Sequence, residues 1–362
     1  MMEKARKKLL IITTWSGFFA TKLVGTAAEN TRTTMDTSRL KELFEKEGFQ
    51  VTVTDIARLD TGADYTGVLA VYCSSEDNGA FYRGYIGDAL VALMERGAVL
   101  IPSYQWFRAH SNKVLQEMLR RSFKDERLRA PSSHWIGDLK ELDSVLPGIS
   151  YPAVVKLSGG SGSRGVAMAG SEAELRELAA KMMDHHYRDY EDTLYLERGL
   201  RAKRILRRVT GRRVGEETIL PHMETNKVII QEFIPGLSGD YKVLYFLGRY
   251  YCLSRKNRDD DFRASGSGRF SYPEDLDEIT GVLDLAEAAA AEIGMPMMSL
   301  DIGKSPEGVF LIEFQCVFFG PYTLQFAPFY CSRENGAWTK TEGSFDLEEE
   351  YVRAVSGYVE RM

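Results

Sequence analysis

Over the first 110 residues, short apolar blocks alternate with longer amphipathic ones. The apolar blocks, each with the length of a buried strand, are Leu9–Thr13, Val51–Ile56, Val68–Tyr72 and Ala98–Ile101. Helices are predicted from a cap at Asp36-Thr37-Ser38 through Lys46, and over Tyr85–Arg96. Strands that alternate with helices are typical of an α/β fold with a parallel sheet.

Two segments of this region, Ser16–Thr34 and Ser74–Arg83, are predicted to be long and irregular. Long loops at the carboxyl ends of parallel strands often carry binding sites, and plain connectors are an equally good interpretation. Both segments are therefore candidates for recognising a substrate.

The pattern changes after Ser111, where a helix over Asn112–Arg121 is followed by a break at residues 130–133. Further strands are predicted at Ala153–Leu157, Val166–Ala169, Val228–Phe233, Tyr241–Phe246, Tyr250–Arg255, Ser299–Gly303 and Val309–Phe314. Further helices are predicted at Ser171–Met183, Leu276–Ile293 and Leu347–Arg361. This second region reads as α+β, with hairpins in place of the earlier alternation.

Composition narrows the classes of protein. The 362 residues are enough for two or three domains, and a formal charge of −6 argues against general nucleic-acid binding. The four cysteines form no C-x-x-C pair, which favours a reducing compartment and a cytoplasmic protein without a zinc site.

No run of 18 apolar residues exists, so no membrane span is expected. The basic N-terminus before Leu9–Ile12 leaves a signal peptide open. Polar residues and Lys22 interrupt that run, which favours a buried first strand.

A glycine-rich stretch connects two predicted strands. It contains Gly160, Ser161, Gly162, Ser163 and Gly165, and Lys156 lies on the incoming strand. A strand follows the glycines, so the stretch predicts a hairpin rather than the strand-to-helix turn of a dinucleotide site. Its backbone amides could meet phosphate oxygens beside a lysine. The alternative is a mobile surface hairpin.

The strand that begins at Val228 runs into a Pro235-Gly236 break. Backbone and apolar groups there could hold an adenine, Gln231 could meet its exocyclic amine, and Asp240 could hold ribose hydroxyls. Any edge strand that ends in a turn has the same pattern, so this signal is weak alone.

Three oxygen-bearing residues, Asp301, Glu313 and Gln315, occupy two neighbouring predicted strands. Glu313 and Gln315 are two residues apart and share a face, and Asp301 can face them from the other strand. Such a set suits Mg²⁺, or alternatively Mn²⁺, with phosphate oxygens and water completing the shell. Burying carboxylates unpaired is costly, so a metal or a buried arginine partner is expected.

Two basic segments complete the candidates. The loop over 255–268 contains Arg263 and Arg255, the first and second choices for neutralising charge on a transferred phosphate and an oxyanion. Residues 198–213 contain eight basic residues and no acid, which predicts either a solvated helix or a dock for an anionic substrate or carrier. A charged surface loop is the alternative for 255–268.

Taken in order, these motifs resemble the ATP-grasp superfamily, which includes D-alanine–D-alanine ligase and glutathione synthetase. The order is lysine on a strand, glycine flap, hinge strand, arginine loop, and then Asp and Glu-x-Asn on paired strands. The resemblance covers residues 111–330 and implies a pre-grasp α/β domain at 1–110. It also implies ATP-grasp subdomains at 111–226 and 227–362.

By this resemblance, the nucleotide site includes Lys156 and the glycine flap, Lys113, and the hinge residues Gln231, Glu232 and Ile234. The magnesium ligands would be Asp301, Glu313 and Gln315. Two positions depart from the family pattern: Gln315 replaces asparagine, and Lys242 stands where an arginine is usual.

The activity implied is an ATP- and Mg²⁺-dependent ligation of a carboxylate to an amine through an acylphosphate. A phosphotransferase on the same fold and a non-catalytic ATP-binding regulator are the alternatives. The partners implied are small-molecule acids and amines, and a homodimer is compatible with the family.

Overall fold

The computed structural model describes residues 6–29, 31–77, 79–159, 165–184, 227–257, 268–317 and 319–362. The chain divides into two compact units, described separately below. Unit 1 comprises Met1–Pro131 together with Ile234–Met362, and unit 2 comprises Ser132–Phe233. The three domains expected from the sequence, with limits at 110 and 226, remain a prediction.

The amino-terminal part of unit 1 contains a parallel sheet. Its elements are β1 (Lys8–Thr13), β2 (Thr21–Val24), β3 (Thr31–Thr34), α1 (Thr37–Lys46), β4 (Gln50–Asp55), β5 (Leu69–Tyr72), α2 (Gly79–Glu95), β6 (Val99–Ile101), α3 (Tyr104–Ala109) and α4 (Lys113–Arg120). The strand order is β4-β1-β5-β6 with parallel pairing throughout. The strand of this sheet that follows β1 in sequence, β4, lies on one side of it, and the later strands β5 and β6 lie on the other. The strand order therefore reverses between β1 and β5, which flank the topological switch point of the sheet. The parallel α/β prediction is confirmed.

Local sequence explains most of these boundaries. The Asp36 side chain accepts hydrogen bonds from the Ser38 and Arg39 amides and caps α1, whose buried face carries Leu40 and Phe44. The strand expected at Leu9–Thr13 is β1, which is buried after its first residue.

The two segments expected to be irregular are partly regular. Ser16–Thr34 contains the antiparallel hairpin β2–β3, whose mostly polar residues show no hydrophobic alternation. Helix α2 begins at Gly79, inside Ser74–Arg83 and before the predicted start at Tyr85. Three glycines in its first turns hide this extension, since glycine is a poor helix former.

Unit 2 contains an antiparallel sheet covered by a helix. Its elements are β7 (Ser133–Ile136), α5 (Leu142–Val145), β8 (Ala153–Leu157), β9 (Val166–Ala169), α6 (Glu172–Asp184) and β10 (Val228–Glu232). The strand order is β7-β10-β8-β9. Apolar residues such as Val155, Ile230 and Leu175 form the core of this unit.

The remainder of unit 1 contains a long antiparallel sheet. Its elements are β11 (Gly239–Phe246), β12 (Arg249–Lys256), β13 (Phe270–Ser271), α7 (Leu276–Ile293), β14 (Met297–Ser305), β15 (Gly308–Gln315), α8 (Tyr322–Gln325), β16 (Phe329–Glu334), β17 (Ala337–Glu342) and α9 (Leu347–Arg361). The order is β15-β14-β11-β12-β16-β17, with β13 beside β12. Helices α7 and α9 match their predicted bounds, whereas the β16–β17 hairpin was not predicted.

A shared core joins the two sheets of unit 1. Phe44 of α1 and Phe19 both pack edge-on against Tyr351 of α9, and the cluster also includes Phe246 of β11. Helix α7 packs in a second cluster with apolar residues of β11, β14 and β15. The switch point and the antiparallel strands are therefore held in one packed body.

The four cysteines all lie within the described ranges, where each is buried and free. Across the described residues, no helix combines the length and the apolarity needed to cross a bilayer.

Candidate functional site

The three predicted metal ligands lie on neighbouring antiparallel strands of unit 1. Asp301 of β14 is the direct cross-strand partner of Glu313 on β15, and Gln315 follows two residues later. Directly opposed residues, and residues two apart, project from the same face of a sheet. A bulge next to Asp301 shifts the register beyond this pair, so the opposition is local to the site.

Cations pair with the Asp301 carboxylate in this structure. Lys242 Nζ lies 3.1 Å from Oδ1, and Arg255 Nη2 lies 2.9 Å from Oδ2. Arg255 also donates to both oxygens of Asp240, at 2.6 and 2.8 Å, and is only 8% exposed. The sequence predicted either a metal or a buried arginine beside these acids. For Asp301, the buried arginine is present.

These contacts shift the pKa values of the cluster in different directions. Burial works to raise the pKa of Asp301, but the Arg255 and Lys242 charges outweigh it and hold that pKa well below its usual range. Burial dominates at Asp240, and with the nearby Asp301 charge it raises the pKa of Asp240 although Arg255 opposes this. Burial would lower the pKa of Arg255, yet its two carboxylate partners raise it.

Glu313 and Gln315 have partners at the amino end of α4. Lys113 Nζ lies 3.0 Å from Glu313 Oε1, which brings together a predicted nucleotide-binding residue and a predicted magnesium ligand. A hydrogen bond joins the side chains of His110 and Gln315. Burial, with the Arg83 and Lys113 charges, lowers the pKa of His110 to about 3, so this imidazole is neutral. His110 was not predicted, because nothing in its local sequence marks it.

Gly320 makes room for Lys242. Its φ is +67°, and a Cβ at this position would lie 2.8 Å from Lys242 Cε. Any side chain there would strain the backbone and displace the lysine that pairs with Asp301.

In unit 2, the predicted phosphate lysine contacts the predicted hinge residue. Lys156 Nζ donates to Gln231 Oε1 at 2.6 Å. The Gln231 Nε2 is buried and has no hydrogen-bond partner among the described residues. The Gln231 amide therefore has a donor to offer. A donor suits a ring nitrogen of adenine better than the exocyclic amine that the sequence analysis assigned to Gln231.

The predicted hinge strand is interior to its sheet. β10 pairs with β7 and β8, and the Glu232 amide donates to Ser132 O while its carboxylate accepts from the Ser132 hydroxyl at 3.1 Å. The ladder pairing of β10 therefore ends at Glu232, and the boundary between the units falls just before Ile234.

The glycine stretch joins antiparallel strands, as predicted. β8 pairs with β9, and the Leu157 amide donates to Gly165 O at 2.8 Å. Gly165 has a φ of +72°, and a Cβ would lie 2.6 Å from Leu157 Cδ1, so this turn requires glycine. Gly160, Ser161, Gly162, Ser163, Arg263 and the basic segment 198–213 lie outside the described residues.

The acidic pair fits a magnesium ion by donor chemistry. Two carboxylates and an amide on one sheet face are hard oxygen ligands, and Mg²⁺ takes few of these from protein. No group of three or more His, Cys, Asp or Glu side chains placed to hold a metal occurs in the described part of the chain. The proposed set therefore depends on Gln315 and on oxygens from outside the protein.

A second polar cluster lies at the carboxyl ends of β1 and β5, at the switch point. Asp77 Oδ2 accepts hydrogen bonds from the Thr14 and Ser16 hydroxyls, at 3.0 and 2.8 Å. Between those residues, Trp15 is 66% exposed, and its amide donates to the Tyr82 hydroxyl. These residues fall in or beside the two segments predicted to recognise a substrate.

Glu76 is the half-buried acid of this cluster. The Thr21 hydroxyl lies 3.5 Å from Oε2, whereas the buried Oε1 has no hydrogen-bond partner among the described residues. The Ser74 hydroxyl, in a residue 1% exposed, lies beside the carboxyl but makes no hydrogen bond of ordinary geometry to a described residue. Burial raises the pKa of Glu76 to about 7, against the opposing effects of Ser74 and Arg83.

We expect Glu76→Gln to stabilise the protein at pH 8. A raised native pKa means that the folded state binds a proton more tightly than the unfolded state, so Glu76 lowers stability as pH rises from about 4.5 to about 7. The variant should gain ~1–3 kcal/mol at pH 8 and nothing near pH 4. Urea unfolding at both pH values tests this, with the exposed Asp88→Asn on α2 as control. An equal change at both pH values would contradict it.

The architecture is similar to that of several solved structures. D-cycloserine synthetase DcsG matches with a TM-score of 0.51 at 12% identity, over 97% of this chain and 99% of that one. The ATP-grasp ligase PsnB, solved with a minimal precursor, matches with a TM-score of 0.50 at 14% identity, over 97% and 98%. No protein-family model matches the chain. No curated protein matches it either.

The chain therefore has the ATP-grasp fold, and the resemblance seen in its sequence is confirmed at that level. A shared fold does not establish a reaction. The reaction has to be argued from the site itself.

Proposed function

We propose that the protein is an ATP- and Mg²⁺-dependent ligase that joins a carboxylate to an amine. The observation that carries this proposal is the direct opposition of Asp301 and Glu313 on β14 and β15, with Gln315 beside them, in an ATP-grasp fold. Both structural neighbours are named for bond-forming activity, one a synthetase and the other a ligase.

The proposed reaction has two steps. A substrate carboxylate oxygen attacks the γ-phosphorus of ATP, which forms an acylphosphate and releases ADP. An amine nitrogen then attacks the acyl carbon, the bond from that carbon to the phosphate oxygen breaks, and phosphate and a proton leave. Neither step needs a covalent bond to the protein, so positioning and charge stabilisation are the main tasks of its residues.

Each part of the site has a proposed role. Asp301, Glu313 and Gln315 would hold Mg²⁺, which when bound neutralises charge on the phosphates. Arg255 donates to two carboxylates, so we assign it the positioning of Asp301 rather than contact with the acylphosphate. Arg263 remains the predicted oxyanion donor.

Within unit 2, nucleotide binding is assigned to Lys156 and Gln231. Lys156 would contact the phosphates and Gln231 Nε2 would donate to the base. Lys113 and the Ile234 backbone keep the nucleotide roles that the resemblance implies for them.

A hydroxamate assay tests the ligase directly. We expect the protein, ATP, Mg²⁺, hydroxylamine and pools of carboxylic acids to yield hydroxamate, ADP and phosphate in equal amounts, with only particular acids. ADP without hydroxamate or free phosphate would instead indicate transfer to another acceptor. An absence of ADP with every pool would contradict the ligase proposal for the acids tested.

A further inference from the structure

The polar cluster at the switch point has the features of a ligand site that the proposed ATP and magnesium residues do not use. We call it the switch-point crevice and define it by Thr14, Ser16, Glu76, Asp77 and Arg83. Crevices at the carboxyl ends of the strands flanking a switch point are where open parallel sheets bind ligands.

The crevice contains polar atoms that its own described residues leave unsatisfied. Glu76 Oε1 is buried without a hydrogen-bond partner in the described part of the chain, and the Ser74 hydroxyl beside it is in the same condition. Buried polar atoms are nearly always paired, and a Ser74 hydroxyl that turns towards Glu76 still leaves the carboxylate a lone pair for a further donor. A carboxylate oxygen accepts only, so the group that Glu76 lacks is a donor.

The charge balance favours a cation. Glu76 lies within the field of Arg83, whose Nε donates to the Ser74 carbonyl at 3.1 Å, and Asp77 is the neighbouring acid. The crevice as defined thus contains two carboxyl groups, Glu76 and Asp77, and one guanidinium group, Arg83. The largely exposed Trp15 lies next to the crevice, where an aromatic ring can attract an ammonium group.

The charge of Arg83 acts both within the crevice and towards the face that carries the acidic pair. The Arg83 charge acts on both Glu76 and His110, and His110 is hydrogen-bonded to Gln315. All of these residues belong to unit 1. A molecule in the crevice would therefore lie in the same unit as the acidic pair.

We propose that the switch-point crevice binds the ammonium group of the amine substrate, with Glu76 and Asp77 as its acceptors. Identifying this cation as the second substrate rests on the proposed ligase function, whereas the binding of a primary ammonium group does not.

Ligand-observed NMR on the full chain without ATP tests the binding. The probes are amino acid amides and simple diamines, which carry an ammonium but no carboxylate, and N-acetyl amino acids, which have the opposite charge. We expect amine probes to bind at millimolar concentration, and Glu76→Gln and Asp77→Asn each to weaken binding by about ten- to hundred-fold. The matched change Asp88→Asn should have no effect, and circular dichroism verifies folding of each variant.

The proposal would be overturned if none of the amine probes binds. It would also be overturned if Asp88→Asn weakens amine binding as much as the two crevice variants do. The hydroxamate assay separates this outcome from failure of the ligase function, because small, largely uncharged hydroxylamine does not require an ammonium site. Hydroxamate formation without amine binding would support the ligase function and contradict the ammonium site. Amine binding that depends on Glu76, without ADP release, would support the ammonium site and contradict the ligase function.

Discussion

Glu313→Ala is expected to lower kcat for ADP release by about 10³-fold or more while leaving the fold intact. Glu313 is one of two proposed carboxylate ligands, and loss of a preorganised group that stabilises transition-state charge typically costs about 10²–10³-fold. Removal of a metal ligand adds lost metal affinity, so the Mg²⁺ concentration needed for half-maximal rate should rise as well. Both quantities are measured with the acid identified by the hydroxamate assay.

Stability should respond far less than activity. The Glu313 side chain is 30% exposed and its described ion partner is Lys113, so the loss is that of a partly exposed ion pair, about 1 kcal/mol or less. The control is Glu307→Ala, an exposed acid at the turn of the same hairpin. Retention of activity within about ten-fold, or an equal loss in the control, would remove Glu313 from the proposed site.

The sequence located the acidic pair because strand periodicity determines which residues share a face. Val309–Phe314 is apolar enough to be recognised as a strand, and the two-residue spacing then places Glu313 and Gln315 together. The helices Leu276–Ile293 and Leu347–Arg361 were predictable for a similar reason, since each begins at an aspartate cap and has a continuous apolar face.

The cations around the pair could not be derived in the same way. Arg255 meets Asp240 through the β11–β12 register, but it reaches Asp301 only because β11 lies between β12 and β14, a strand order that the sequence does not specify. His110 meets Gln315 across a separation of more than 200 residues. Such contacts depend on tertiary packing, and no local pattern encodes them.

The switch-point crevice could be predicted only in part from the sequence. The segment Ser74–Arg83 was identified as a candidate from its position after a parallel strand, but its acids could not be separated from a solvated loop. The burial of the Ser74 hydroxyl and of Glu76 Oε1, neither with a hydrogen bond of ordinary geometry among the described residues, favours a binding site, and this burial depends on tertiary packing.

Arg255→Met is expected to destabilise unit 1 by about 3–5 kcal/mol at pH 7. Arg255 is nearly buried and is paired with both Asp240 and Asp301, and breaking a buried ion pair leaves uncompensated charge. Arg333→Met is the matched control, because that arginine also pairs with two carboxylates, Asp284 and Glu287, at a more exposed site. Its loss should be about 1 kcal/mol or less.

The pH dependence of the deficit identifies its cause. Without Arg255, the pKa of Asp240, already raised by burial, rises further above its unfolded value, so the folded variant gains protons that the unfolded chain does not. Its stability then falls as pH rises from the unfolded pKa towards that native pKa, and the deficit relative to the wild type should shrink as pH is lowered from neutral towards about 4, the unfolded value of an aspartate. Urea unfolding across this range measures the deficit.

Asp240→Asn in the Arg255→Met background should recover part of the loss at pH 8, because it removes the unpaired carboxylate charge. A deficit that is constant with pH would mean that lost packing of the arginine stem, rather than unpaired carboxylate charge, is what destabilises the variant.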